Sequence, residues 1–159
     1  MTLKLRYEID LSCPVEVDAV ERLEVRSLSD DDLDALARLM LDAYVGTIDY
    51  EGETLDEAID EVRGFLQDQR SLPDRSFVVV DNGRIVSAIF ILMVEDDPFV
   101  GVVMTLPSHK RQGLGRLVTN AAIQHLASDG HKRAVLYITD GNVASEALFR
   151  SVGAVRCDI

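Results

Sequence analysis

Val102-Val103-Met104-Thr105-Leu106-Pro107-Ser108-His109-Lys110-Arg111-Gln112-Gly113-Leu114-Gly115-Arg116 is the stretch of this 159-residue chain on which its fold turns. An apolar strand runs into a break at Pro107, a basic cluster follows, and Gly113 and Gly115 open a helix. Glycines let the main chain approach a ligand closely. The first turn of a helix offers N–H groups without intrahelical partners at the positive end of its dipole. The segment is therefore suited to hold a diphosphate. Its cations point the same way, because Lys and Arg oppose the dipole at a helix start. Three of only 16 in the chain (Lys110, Arg111 and Arg116) fall within this loop, beside His109.

Outward from that loop, Leu114, Leu117, Val118, Ala121, Ala122 and Leu126 form the apolar stripe of a helix that Asp129-Gly130 ends. Ala134–Thr139 reads as a strand, Asn142–Val152 as a short helix and Ala154–Asp158 as a last strand. Upstream, Asn82-Gly83 joins Phe77–Val80 to Ile85–Val94 in a hairpin. Glu95-Asp96-Asp97-Pro98 turns into the strand Phe99–Thr105. Before these lie two helices: one begins at Ser29-Asp30-Asp31-Asp32, and the other at the Thr54/Glu57 capping pattern. Thr2–Leu11 alternates as a half-buried strand, and Val20–Arg26 is expected to be a second, antiparallel to it. The order β-β-α-α-β-β-β-α-β-α-β predicts an α+β fold, a mixed and mostly antiparallel central sheet flanked by helices, in one domain over residues 1–159.

At 47% hydrophobic residues the chain can bury an ordinary core. No run approaches the roughly 18–20 apolar residues of a membrane span, and the charged start is unlike a signal peptide. A net charge of −12 argues against nucleic acid or an anionic membrane as partner. Cys13 and Cys157 are too few for a disulfide framework, so reduced thiols and a cytoplasmic setting are expected. His109, His125 and His131 lack metal-ligand spacing, and no metal is expected.

Two familiar phosphate loops do not fit. A Walker loop needs Gly, four residues, then Gly-Lys-Ser/Thr. A dinucleotide fingerprint needs a small residue where Val118 stands, and a βαβ setting. The pattern Lys110-Arg111-Gln112-Gly113-Leu114-Gly115 behind Pro107 instead resembles the GCN5-related N-acetyltransferase superfamily. So does Asn142-Val143-Ala144-Ser145-Glu146-Ala147-Leu148-Phe149 with Gly153 after it. The resemblance runs from about Val25 onward.

This resemblance implies that the main chain of Val103, Met104 and Thr105 pairs with the pantetheine amides of acetyl-CoA, as a strand added to an open sheet edge. Main-chain N–H groups from Arg111, Gln112, Gly113, Leu114, Gly115 and Arg116 would hold the diphosphate. Asn142 would reach the cofactor near its thioester, though the residue also suits a helix cap. It implies as well that Tyr44, Asp49, Tyr50 and Glu51 wall an acceptor pocket suited to a cationic amine.

The chain departs from many relatives in its acid–base groups. Phe149 stands where they carry an acid tyrosine, and Tyr137 and Phe99 where they carry a glutamate base. Tyr137 is the candidate proton donor, or else packs on its strand, and Glu95, Asp96 and Asp97 read as a solvated turn that could alternatively take a proton through water. Relatives also commonly follow the short helix with two strands, whereas one remains here. The extra N-terminal strand (residues 1–12) could fill the vacant place, from this chain or from a second copy in a homodimer. The expected activity is direct acetyl transfer from acetyl-CoA to a primary amine of a small molecule or peptide. The alternative is an acetyl-CoA-binding module without catalysis, and turnover on an amine separates the two.

Overall fold

The computed structural model describes residues 3–12, 23–47 and 50–157. Cys13 and Asp49 lie outside them. Strand β1 (Lys4–Asp10) buries Tyr7 and Ile9 on one face and turns Lys4, Arg6 and Glu8 to the other. The short β2 (Glu24–Ser27) precedes a capped turn at Ser29 and helix α1 (Leu33–Tyr44). Helix α2 (Leu55–Gln67) starts in the Thr54/Glu57 capping box. Strands β3 (Phe77–Asp81), β4 (Arg84–Val94) and β5 (Asp97–Thr105) form a meander. Helix α3 (Leu114–Ser128), strand β6 (Arg133–Thr139), helix α4 (Val143–Ser151) and strand β7 (Ala154–Arg156) complete the order.

The seven strands form one sheet in the order β2-β3-β4-β5-β6-β1-β7. Only β5 and β6 pair in parallel, at Phe99–Val135 and Val100–Leu136. Helices α1 and α2 cover one face and α3 and α4 the other. That is why β4, gripped from both sides, is almost continuously apolar and buried.

The expected pairing of β2 with the first strand does not occur. β2 pairs with β3, through Val25–Val79 and Arg26–Val78, while β1 lies at the far end of the sheet. The apolar face of β1 explains this. Tyr7, Ile9 and the following Leu11 are each at most 2% exposed, a burial they find between β6 and β7 and beneath α4. Arg150 of α4 lies 5.8 Å above the Tyr7 ring. The strand filling this place comes from the chain itself.

Two features open the sheet. The β4–β5 register slips between Phe90 and Ile91, so that Gly101 is an extra residue on β5. A bulge bends and twists its strand. A Cβ on Gly101 would stand 3.1 Å from the Leu92 side chain, so the bulge suits glycine. Beyond Val100, β5 and β6 then part, and no strand covers the facing edge of residues 102–105 among the described residues.

Candidate active site at the divergence of β5 and β6

The parting strands make a cleft through the sheet, of about 260 Å³. Val100, Gly101, Val102 and Val103 line it from β5, and Leu136, Tyr137, Ile138 and Thr139 from β6. An uncovered strand edge offers N–H and C=O groups to any extended ligand with amides of its own. Met104 is buried, so only its main chain could face such a ligand. Thr105 is held in place: the Ser87 hydroxyl donates to the Met104 carbonyl at 3.0 Å, and the Thr105 hydroxyl, 2.9 Å away, donates in turn to Ser87.

The end of β5 leads into the glycine loop. A turn at Pro107–His109 is pinned by His109, whose Nε2 lies 3.0 Å from Asp81 of the β3–β4 hairpin and whose Nδ1 lies 2.8 Å from Ser108 Oγ. Arg111 and Gly113 then take left-handed conformations, φ 64° and 77°. No side chain caps α3, although Thr54 caps α2 and Asn142 caps α4. The first helical bond runs from Leu117 N to Gly113 O, so the N–H groups of Leu114, Gly115 and Arg116 precede the ladder. Gly115 lies against α4, where a Cβ would meet Leu148 at 3.2 Å. Lys110, Arg111 and Arg116 are exposed and in no ion pair among the described residues. The loop thus gathers donors and positive charge at one spot.

Asn142 accepts from Ser145 N at 3.1 Å and also lines the cleft, so capping and a place in the site coexist. Phe149 stands in the cleft, buried and without a proton to give. Tyr137 is 50% exposed there, its ring 5.8 Å from Phe99.

Helices α1 and α2 close the opposite wall with Met40, Tyr44 and Glu61, and the loop between them adds Tyr50 and Glu53. Partial burial against the cleft, with the Glu53 carboxylate second, pushes the Glu61 carboxyl up from the ordinary carboxylate range, but the residue as a whole is exposed and solvent moderates the shift. On the β6 side, Lys4 of β1 lines the cleft and donates from Nζ to Thr139 Oγ1 at 3.0 Å.

Two of the candidate placements lie outside the cleft, and for Glu95, Asp96 and Asp97 the solvated-turn reading holds over the proton-accepting one. Asp97 is bound to Arg133 at 3.0 Å, and Asp96 and Asp97 border a separate surface hollow, so the Glu95–Asp97 turn is not in the cleft. Its distance follows from the hairpin geometry, which puts the start of β5 opposite the end that feeds the glycine loop. Glu51 is exposed and outside the cleft lining, where Glu53 takes the expected place. Sequence reading also missed Lys4 and Glu61. The only trace of Glu61 is its position beside Val62, at the edge of the apolar stripe of α2.

The family model described as the acetyltransferase (GNAT) family matches residues 33–154. A stretch of 64 residues is 39% identical to mycothiol acetyltransferase of Kocuria rhizophila, covering 38% of this chain and 21% of that protein. The chain thus spans about a fifth of the length of the curated relatives it matches. Among solved structures, the ribosomal-protein-S18-alanine N-acetyltransferase of Escherichia coli superposes with TM-score 0.67 at 24% identity, over 82% of this chain and 76% of that one. An aminoglycoside N-acetyltransferase in complex with CoA superposes with TM-score 0.65 at 14% identity, over 82% and 86%. The split sheet, the glycine loop and the matched span agree, and the chain belongs to the GNAT acetyltransferase family.

Proposed function

We propose that this chain transfers the acetyl group of acetyl-CoA directly to a primary amine of a small molecule or peptide, in the cleft between β5 and β6. The observation that carries the reading is the continuity of that cleft. A diphosphate-sized cluster of N–H donors and cations leads onto the uncovered edge of residues 102–105 and then into a pocket with carboxylates on its far wall. One of the relatives superposed above holds CoA. Two others are named for acetyl transfer to an alanine amine and for a mycothiol acetyltransferase. The residues of the loop fit the cofactor: Arg111 to Arg116 would hold its diphosphate, and Val103, Met104 and Thr105 its amide-bearing arm.

Acetyl-CoA supplies a thioester carbonyl ready for attack. The chain must deliver a neutral amine, since an alkylamine with pKa near 10.4 is uncharged only about once in 2,500 molecules at pH 7. Glu61 is placed to attract the ammonium and to take its proton, and its raised pKa suits it to that task better than an ordinary carboxylate. Tyr44 and Tyr50 give the cation aromatic faces. With Phe149 in the cleft, the sulfur leaves as the thiolate, which a thiol pKa near 8.5 makes tolerable. Tyr137 is the remaining candidate to return a proton.

The test is release of free CoA thiol across an amine panel, for the natural protein and for Glu61→Gln. The variant is expected to lose on the order of 100-fold in kcat with CoA affinity unchanged. Tight CoA binding with no turnover on any amine would favour the binding module that Phe149 keeps in view.

A further inference from the structure

The N-terminal strand brings a positive charge to the cleft. Lys4 stands opposite Thr139 in the β1–β6 register, on the sheet face toward α1 and α2, and its ammonium borders the cleft. Only one of its three N–H donors has a described partner, Thr139 Oγ1 at 3.0 Å. Its neighbours along the same face of β1 are matched: Arg6 with Glu8 at 3.0 Å, and Glu8 with Arg133 at 3.5 Å. Lys4 is in no ion pair among the described residues, in a chain that carries 28 acidic side chains against 16 Lys and Arg. Lys4 is itself exposed, so water meets its other donors, but held by Thr139 at the border of the cleft its ammonium is available to an anion from outside the chain.

The acidic groups of the cleft stand on the other wall, Glu53 and Glu61 from the α1–α2 side. The cleft therefore has one positive and one negative wall. Resting on the amine-transfer reading, we propose that the acceptor is a zwitterion, a small molecule with a carboxylate a few atoms from its primary amine. Lys4 binds the carboxylate, and Glu61 with Glu53 takes the amine end. The cavity of about 260 Å³ favours a compact acceptor. Lys4 is thus a specificity-determining residue, delivered by a strand that lies outside the family motifs.

The experiment uses ω-amino acids of three to six carbons, each against its own carboxamide, at saturating acetyl-CoA. The natural protein is expected to favour the acid over the amide by about tenfold or more in kcat/KM, the scale of one charge-assisted hydrogen bond. Lys4→Met is expected to abolish that ratio, Lys4→Arg to keep it, and Lys4→Glu to reverse it; melting curves check each fold. Equal use of acid and amide by the natural protein would overturn the proposal. So would equal fractional loss on both in Lys4→Met, which would place Lys4 at the leaving sulfur or in strand stability instead. A protein that acetylates amines without regard to their carboxylate leaves the transferase reading standing. One that binds CoA and acetylates no amine overturns both.

Discussion

Glu61 joins three kinds of physics in one side chain: a helix position, a partly desolvated carboxyl and a neighbouring charge. Its pKa is raised in the folded protein, so the folded state holds that proton more tightly than the unfolded chain does. Stability is therefore lost as pH rises from the ordinary carboxylate range through the folded pKa. Glu61→Gln removes that penalty, and a melting scan at pH 7 should show a higher Tm than the natural protein. In the proposed mechanism the same sign applies to catalysis. A base must be ionised, so kcat should climb with pH through the Glu61 pKa, with its acid limb above the range of a free glutamate. A rate that stays flat from pH 4.5 to 7 would remove Glu61 from the mechanism. None of this was legible in the sequence, because Glu61 in isolation looks like any exposed helix carboxylate. Its place at the cleft depends on where β5 and β6 part.

Elements with local rules were the legible ones. Asn82-Gly83 dictated its hairpin, and Thr54 with Glu57 began α2 where expected, since turn and cap chemistry is settled within four residues. The start of α1 shows the same locality with an addition. Ser29 and Asp32 form a capping box, and Arg26 of β2 grips the Asp32 carboxylate with two bonds of 2.9 Å. The Arg26 guanidinium and the Ser29 N–H hold the Asp32 carboxyl below the ordinary range, against the opposing effect of burial. A lowered pKa contributes stability that is present above the unfolded value and lost as pH falls through the folded one. Asp32→Asn should thus cost about 1–2 kcal/mol at pH 7 in chemical denaturation, and the difference should vanish in strong acid. The glycine loop belongs to this scale too. Gly113, at φ 77°, disfavours any residue with a Cβ, and Gly115 has Leu148 at 3.2 Å from where a Cβ would stand.

At the scale of the molecule, the sheet order was the least legible property. The wrong pairing of β2 with β1 came from their nearness in sequence, whereas β1 pairs with β6 and β7, where its apolar face is buried. That placement makes β1 indispensable. Burying Tyr7, Ile9 and Leu11 is worth roughly 1.5–3 kcal/mol each, together a sum comparable to the whole stability of an ordinary fold, roughly 5–15 kcal/mol. Deleting residues 1–12 should therefore leave a chain without a cooperative melting transition. A truncated protein that melts like the parent would contradict the topology. The same strand brings Lys4 to the cleft.

Calorimetric titration of CoA into the natural protein, Gly113→Val and Gly115→Leu tests the central claim most directly: that main-chain donors at the start of α3 hold the cofactor's diphosphate. The account predicts saturable binding to the natural protein and at least 100-fold weaker binding, on the order of 3 kcal/mol, to each folded variant. Unchanged affinity in both folded variants, or no heat from the natural protein at millimolar CoA, would contradict it.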